Sequence, residues 1–522
     1  MLCNCYEQIK TSADRPFLRK WILLLAIVVI LQFSLAVNGS WRAQPDAALY
    51  LELGESLASG RGYVFNGEPH TYVPPGYPAL VSLVNLLFGH SFLYYRILMS
   101  VLGLITGLVC YLLIRRLCGE ETALLLGGFC MTSHVLLENS TVTCSDTLFA
   151  LSVFLAIHAV LYVGAEKKKS WCIMTIFSGI CAGLPALVRI NGWGIPPALT
   201  FYLVCATRGH SFGRRAIQSG LFLAAAAVPA SIWETYKNSF PRSMNEGTYI
   251  NAVMGRDFYT QVSIMLTALK DYAHEITYAC TGLSIRTGVA EFVIPALILI
   301  GLFRQLSRGE RLLGPLVIAQ MAGLCLSPAG SRYLIALLPC FSIFLVAGLT
   351  YLSDGLFKRQ IVLGSSLLGG HRIARIFFLG LIVLNLCSNT STIIQARSAL
   401  EWNGAESLRD APFFASSRWL KQSGEEGPVM SMHPRVIHYL SGLPTIELVR
   451  SGVPENQAFI SSPDDLTRII ATRRPTYIFS DNKNPVMKTH VQMAFQNLGA
   501  TLQEIPNIDQ QKRFALWKVL YP

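Results

Sequence analysis

Charge is what this chain lacks. Only 14% of its 522 residues are Asp, Glu, Lys or Arg, while 52% are hydrophobic and the mean hydropathy is +0.43. A soluble domain carries about 25% charged residues. One chain cannot hide so much apolar surface in water, so an ordinary soluble protein is excluded and a polytopic membrane protein remains. The thirteen cysteines include no CxxC pair and sit mostly inside apolar stretches, which excludes a disulfide framework or a zinc ribbon. GxxxxGK[ST], HExxH, GxSxG and a strand-to-helix GxGxxG are all missing, and with them the familiar nucleotide, metalloprotease and serine-hydrolase chemistries. No internal repeat or low-complexity segment stands out. The net charge of +12 would suit nucleic acid, but the Lys and Arg residues fall in short clusters between apolar segments, which is how a membrane protein sets its orientation.

What is present is a series of apolar segments. Trp21 to Val37 follows Arg15, Arg19 and Lys20, which places the N-terminus in the cytoplasm. Ser34-Leu35-Ala36 loosely matches a signal-peptidase site, although an uncleaved anchor suits a chain with many later spans. Further spans begin near Phe92, Glu121, Ser145, Trp171, Trp193, Ala216, Glu291, Leu312, Tyr333 and Ile373, giving about eleven in all. Ala79 to Phe88 is too short to cross about 30 Å of hydrocarbon and reads as interfacial. Basic clusters at Arg115-Arg116, Lys167-Lys168-Lys169, Arg208 with Arg214-Arg215, Arg304 with Arg308 and Arg311, and Lys358-Arg359 with Arg372 and Arg375 occupy every second connection, on the side of Arg15.

The opposite side receives the loop 38–78, the connection from Glu138 to Ser145, the turn from Ser327 to Arg332, the long loop 237–290 and the tail 391–522. Within the long loop, Ile264, Leu266, Leu269, Tyr272 and Ile276 suggest an amphipathic helix on the bilayer surface. The tail has soluble composition. Strands are expected at Val429–Met432, Thr476–Phe479 and Phe514–Val519, and a helix at Asp464–Ile470. The expected architecture is therefore a multi-span helical domain over 1–390 with a small extracytoplasmic α/β domain over 391–522.

Ionisable residues at the outer ends of spans are costly and are functional candidates. Asp46, Asp146, Arg189 and Arg332 all fall there on this topology. Two carboxylates and two guanidiniums on one face suit a reaction on an anionic, lipid-linked substrate: a carboxylate takes a proton from an acceptor hydroxyl, and an arginine holds a phosphate bidentately as it leaves. The plainer alternatives are helix caps for Asp46 and Asp146, interfacial anchors for the arginines, and aromatic-belt positions for Tyr72 and Tyr77. Glu138 reads as a solvated end, and His433 and His438 as ordinary surface residues.

The loop from Pro45 to Pro78 carries Asp46, Tyr50, Leu57, Gly60, Gly62, Tyr72 and Pro74-Pro75-Gly76-Tyr77-Pro78. It resembles the first outer loop of the GT-C membrane glycosyltransferases, especially the bacterial group that includes aminoarabinose transferases and is related to protein O-mannosyltransferases. Ser145-Asp146-Thr147-Leu148, Gly183 to Arg189, and Ser331-Arg332-Tyr333-Leu334 with Pro339 are similar in type and order to later pieces of that family. The resemblance implies inverting transfer of a sugar from a polyprenyl-phosphate donor to a glycan, lipid or protein acceptor outside the cytoplasm. It casts Asp46 as the base or the key acidic residue, Asp146 as its support or a positioner of the acceptor, and Arg189 and Arg332 as candidates for the carrier phosphate; Tyr72, Tyr77 and His70 are the loop's further candidates for substrate contact. Ala47 after Asp46, and His70 and Tyr72 before the prolines, depart from the acidic pair or Lys frequent in the family, which leaves the phosphate contacts of this loop unassigned. A divalent ion held by Asp46 and Asp146 is compatible with this chemistry, and nothing in the sequence requires one. The Trp-Trp-Asp motif of oligosaccharyltransferases is absent.

Two other classes compete. A transporter or flippase of a lipid-linked sugar would place charges at mid-membrane or show repeated halves. An assembly factor would need neither Asp46 nor a cavity. Sequons at Asn38, Asn139 and Asn389 are weighed against a bacterial plasma membrane, which remains the favoured location.

Overall fold

The computed structural model describes residues 15–522 apart from 166–170, 207–210, 241–256, 285–287, 327–328, 358–369, 399–409, 425, 449–462, 482–484, 507 and 510–513. The first fourteen residues, Lys167-Lys168-Lys169, Arg208, Ser327-Pro328, Lys358-Arg359 and much of the loop 237–290 therefore lie outside the described residues.

Each expected apolar segment is helical. In chain order they are α1 (Arg15–Ala36), α4 (Phe92–Cys118), α5 (Glu120–Thr132), α7 (Asp146–Ala165), α8 (Trp171–Val188), α9 (Ile195–Ala206), α10 (Phe212–Asn238), α12 (Ala290–Ser307), α13 (Leu313–Leu324), α14 (Leu338–Phe357, continuing a 3₁₀ turn over Ser331–Leu337) and α15 (Gly370–Ser398). Among the described residues, seven helices are long and apolar enough to cross a membrane, fewer than the expected eleven. Four expected spans are not among the seven: α5, α9 and α13 have 13, 12 and 12 residues, under about 20 Å each, and α12 has 18.

The break after α5 has a visible cause. Ser133 is extended, with ψ of 128°, and a short α6 (His134–Asn139) follows. The freed N–H of His134 donates to Asn385 Oδ1 at 2.8 Å, and Asn389 Nδ2 donates to the Thr132 carbonyl at 3.0 Å. Side chains of α15 thus satisfy the broken backbone, as buried polar groups require. Asn389 is consumed in this network. Asn38 and Asn139 are also buried and hydrogen-bonded, so all three sequon side chains are engaged inside the fold.

Helix α11 (Phe258–Thr281) occupies part of the long loop, and its Ala268, Tyr272 and Ile276 are buried in the protein core while Leu266 and Leu269 are exposed. Helix α8 lies against α10 at backbone contact. A Cβ at Gly179 or Gly183 would stand 2.4 and 2.3 Å from the carbonyls of Phe222 and Ala226. This spacing of four is the small-residue stripe that lets membrane helices touch, and it fixes the end of α8 from which Arg189 emerges.

The first loop folds as α2 (Pro45–Ala58), a hairpin of β1 (Val64–Phe65) and β2 (Glu68–Pro69) turned by Asn66-Gly67, and α3 (Gly76–Phe88). Gly76 is packed so tightly that a Cβ would lie 2.6 Å from the Leu187 carbonyl. The interfacial reading of this segment fits the exposed Leu83, Leu86, Leu87 and Phe88 on α3.

The C-terminal unit holds α16 (Ala411–Ser423), β3 (Val429–Ser431), α17 (Pro434–Ser441), β4 (Thr445–Glu447), α18 (Pro463–Arg473), β5 (Tyr477–Asp481), α19 (Pro485–Asn497), β6 (Thr501–Glu504) and β7 (Phe514–Leu520). Its sheet order is β4-β3-β5-β7-β6, with β3 parallel to β4 and β5, and β7 antiparallel to both neighbours. This unit is not an appendage. One apolar cluster runs from Trp41, Tyr50 and Tyr77 of the first loop to Phe413, Val436 and Tyr477 of the sheet unit. Trp41 stacks on Phe92 at 5.3 Å and meets Tyr439 at 5.4 Å and Phe414 at 6.1 Å.

Candidate active site

Helix α2 starts with Pro45 at its first position, where a missing N–H costs nothing, and Gln44 takes the capping position. Asp46 therefore sits inside the first turn, where the helix dipole favours negative charge, rather than serving as the cap. Its carboxylate accepts two hydrogen bonds. One comes from Arg332 Nη2 at 3.1 Å and one from Arg435 Nη1 at 3.2 Å. Arg332 also donates to the Tyr333 hydroxyl at 2.9 Å.

The second carboxylate lies beside the first pair. Asp146 opens α7 and accepts from Arg189 Nη1 at 2.7 Å; the same nitrogen donates to Ser145 Oγ at 3.1 Å. The Ser145 and Tyr50 hydroxyls share a hydrogen bond of 2.9 Å, tying α7 to α2. The guanidiniums of Arg189 and Arg332 both stand 4.9 Å from the Tyr333 ring centroid, so one aromatic ring links the two ion pairs. The four residues expected from span ends are thus brought together.

Exposure separates them. The side chains of Asp46, Arg332 and Arg435 are 37%, 30% and 24% exposed, whereas Arg189 and Asp146 are 17% and 2%. Asp146 Oδ2 is buried without a hydrogen-bond partner among the described residues. Burial pushes the Asp46 carboxyl up, but the guanidiniums of Arg332, Arg435 and Arg189 together outweigh it and hold Asp46 below the usual carboxylate range.

The aromatic and histidine candidates divide. Tyr72 is half-buried, and its hydroxyl is held above its ordinary range by burial, with the charges of Arg435 and Asp46 acting on it. Tyr77 does not open onto the site: it is wholly buried, its hydroxyl donates to Met99 Sδ at 3.2 Å, and its ring meets Tyr50 edge-on at 5.1 Å. His70 is pushed down to about 3 by burial and by Arg435. Its neutral Nε2 accepts the Val73 N–H at 3.1 Å, which shapes the turn into the prolines.

Arg435 lies in the first turn of α17, in the stretch of the tail where His433 and His438 read as surface residues. His438 is in fact buried. Its Nε2 is 3.9 Å from Glu52, and Tyr439 donates to Glu55 at 2.7 Å. Helix α17 is thus bound along α2. Glu138 is likewise engaged, with Arg42 at 3.7 Å and the Tyr278 hydroxyl at 3.2 Å.

The donor set does not fit a divalent ion. The described residues contain no group of three or more His, Cys, Asp or Glu able to hold one, and both candidate carboxylates face guanidiniums.

Residues 72–233 match the family described as dolichyl-phosphate-mannose-protein mannosyltransferase. An uncharacterized protein of Aquifex aeolicus (strain VF5) is 26% identical over 191 residues, which span 35% of this chain and 37% of that protein. Among solved structures, ArnT from Cupriavidus metallidurans bound to undecaprenyl phosphate superposes with a TM-score of 0.57 at 13% identity, covering 95% of this chain and 98% of that one. The archaeal oligosaccharyltransferase AglB from Archaeoglobus fulgidus, in complex with an inhibitory peptide and a dolichol-phosphate, gives 0.55 at 12% identity over 94% and 73%. At these identities the likeness is one of fold. The chain is thus similar in fold to the membrane glycosyltransferases ArnT and AglB, and its residues 72–233 match the mannosyltransferase family model.

Proposed function

We propose that the protein transfers a sugar, with inversion, from a polyprenyl-phosphate donor to a glycan, lipid or protein acceptor on the extracytoplasmic side of the membrane. The observation that carries this reading is the Asp46 carboxylate held between Arg332 and Arg435, with Arg189 alongside. The acceptor oxygen attacks the anomeric carbon from the face opposite the phosphate. Its proton passes to Asp46, the carbon–oxygen bond to phosphate breaks, and the electron pair goes to the phosphate oxygen. The arginines then hold the developing dianion. Asp146 is the positioning residue that keeps Arg189 in place. No step passes through a metal ion. The donor class is supported by the polyprenyl phosphates bound in the similarly folded ArnT and AglB.

The alternating basic clusters support a cytoplasmic N-terminus and an outward C-terminal unit, in what we take to be a bacterial plasma membrane, since sequon triplets are common by chance. Reporter fusions after Lys169 and after Ser391 then report opposite sides of the membrane, and the same side for both overturns this topology. The central test is release of polyprenyl phosphate from a panel of polyprenyl-phosphate sugars, wild type beside Asp46→Asn. Release by the wild type alone supports the scheme; equal release by both removes Asp46 from the chemistry.

A further inference from the structure

The site draws its charges from two folding units. Arg189 and Arg332 come from the membrane helices, while Arg435 comes from the C-terminal unit, 389 residues from its partner Asp46. The sheet order β4-β3-β5 explains why that arginine stands where it does. The chain leaves β3 for β4 on one side, then returns to β5 on the other. The carboxyl end of β3 is therefore the point where the crossovers diverge, and open α/β sheets bind their ligands there. Arg435 follows that end directly, in the first turn of α17. Its position is enforced along the whole helix, by His438 against Glu52, by Tyr439 on Glu55, and by a two-way bond between Asn66 and Thr445 at the next strand.

The charge balance points the same way. Three guanidiniums face two carboxylates, and the Asp46 carboxylate is shared by two of them. Arg189 is tied to the buried Asp146. Arg332 is fixed by both Asp46 and Tyr333. Among the described residues, Arg435 is bound to Asp46 through one nitrogen and keeps the rest of its planar donor fork for another acceptor. Helices α2, α7 and α17 all begin at this spot, which adds their positive ends to the field.

We propose that Arg435 is the donor-phosphate ligand supplied by the C-terminal unit, and that it exchanges Asp46 for the phosphate when the lipid-linked donor binds. The exchange couples two needs of the reaction. The phosphate gains a planar two-pronged donor, and the Asp46 carboxylate loses one of its two guanidiniums just as it must accept the acceptor's proton. The C-terminal unit thereby completes the donor site rather than only bracing the loops. This inference rests on the reading of the site under Proposed function and assigns one further residue to it.

The test is binding of undecaprenyl phosphate to the purified full-length protein in nanodiscs, with undecaprenol and phosphatidylglycerol as parallel probes. The variants are Arg435→Ala, Arg435→Lys and Tyr439→Phe. The wild type is expected to prefer undecaprenyl phosphate to undecaprenol and to phosphatidylglycerol. Arg435→Ala should weaken that binding about tenfold or more, the loss expected for hydrogen bonds to a charged group. Arg435→Lys restores charge without the fork and should recover part of the loss. Tyr439→Phe touches α17 but not the phosphate and should bind as the wild type does, which separates ligand contact from misdocking. Unchanged affinity in Arg435→Ala overturns the inference while leaving the reaction class standing. An equal loss in Tyr439→Phe also overturns it, since the effect is then one of docking. A wild type that does not distinguish the phosphate from undecaprenol, or from phosphatidylglycerol, overturns the donor reading and this inference together.

Discussion

Asp46 and Asp146 make the same kind of bond, a carboxylate to a guanidinium, in opposite surroundings. Asp146 is almost wholly enclosed and, among the described residues, is hydrogen-bonded by one arginine and has one oxygen without a partner; Asp46 is more than a third exposed and is hydrogen-bonded by two arginines. An enclosed pair is costly to break because the remaining charge has no solvent to turn to. An open pair can exchange partners at little cost. The contrast assigns structure and positioning to the inner carboxylate and chemistry to the outer one.

The comparison can be broken by substitution. Asp46→Asn should lower turnover by roughly 10²–10⁴-fold, the range for loss of a positioned base, while the thermal midpoint falls less than in Asp146→Ala because the pair is open to solvent. Asp146→Ala should instead unfold the protein more easily, by about 3–5 kcal/mol, because Arg189 is left buried and uncompensated. Denaturation in detergent decides between them, and a stable Asp146→Ala protein would remove the contrast. Gly76→Ala drives a methyl group against the Leu187 carbonyl, two residues before Arg189. A cost of about 1–3 kcal/mol is expected for such overpacking, with weaker donor binding as Arg189 shifts.

Smaller effects follow from titration. The folded pKa of Asp46 is depressed, so its contribution to stability is present above the unfolded value and is lost as pH falls through the folded one. The acid limb of kcat/KM should accordingly lie below the usual carboxylate range and move up in Arg435→Ala, as a pH profile of carrier release would record. His90 gives the opposite sign. Its hydrogen bond to Glu55, at 2.7 Å, raises it despite partial burial, and the charge of Glu55 adds to the effect. The stabilisation is full below the unfolded value of about 6.5 and is lost as pH rises through the folded one. Since His90 is half exposed, His90→Gln should cost under about 1 kcal/mol near pH 6 and nothing near pH 9, read as the difference in thermal midpoint.

The helical segments were legible because long apolar runs and the basic clusters both report on the bilayer. The four charged residues at span ends were legible because charge is expensive there, so its presence needs a reason. Arg435 lacked that signal. In a stretch of soluble composition an arginine is unremarked, and only the pairing of β3 with both β4 and β5 identifies the turn that holds it. The buried Tyr77 went astray for the complementary reason: an outer-loop tyrosine reads as accessible until α3 is seen to fold it under Tyr50. Short helices such as α5 were overextended because hydropathy does not register a break that Asn385 and Asn389 repair from a distant helix.

The distance between Asp46 and Arg435 along the chain also has a temporal meaning. At about 5–20 residues per second of synthesis, the partner of Asp46 is made some 20–80 s after it. During that interval the membrane helices can enter the bilayer and pack while the Asp46 end of α2 has only Arg332 to come. Trp41 likewise meets Phe414 and Tyr439 only after that part of the chain has been made. A nascent chain therefore cannot hold its Asp46 carboxylate in the final arrangement until Arg435 has left the ribosome.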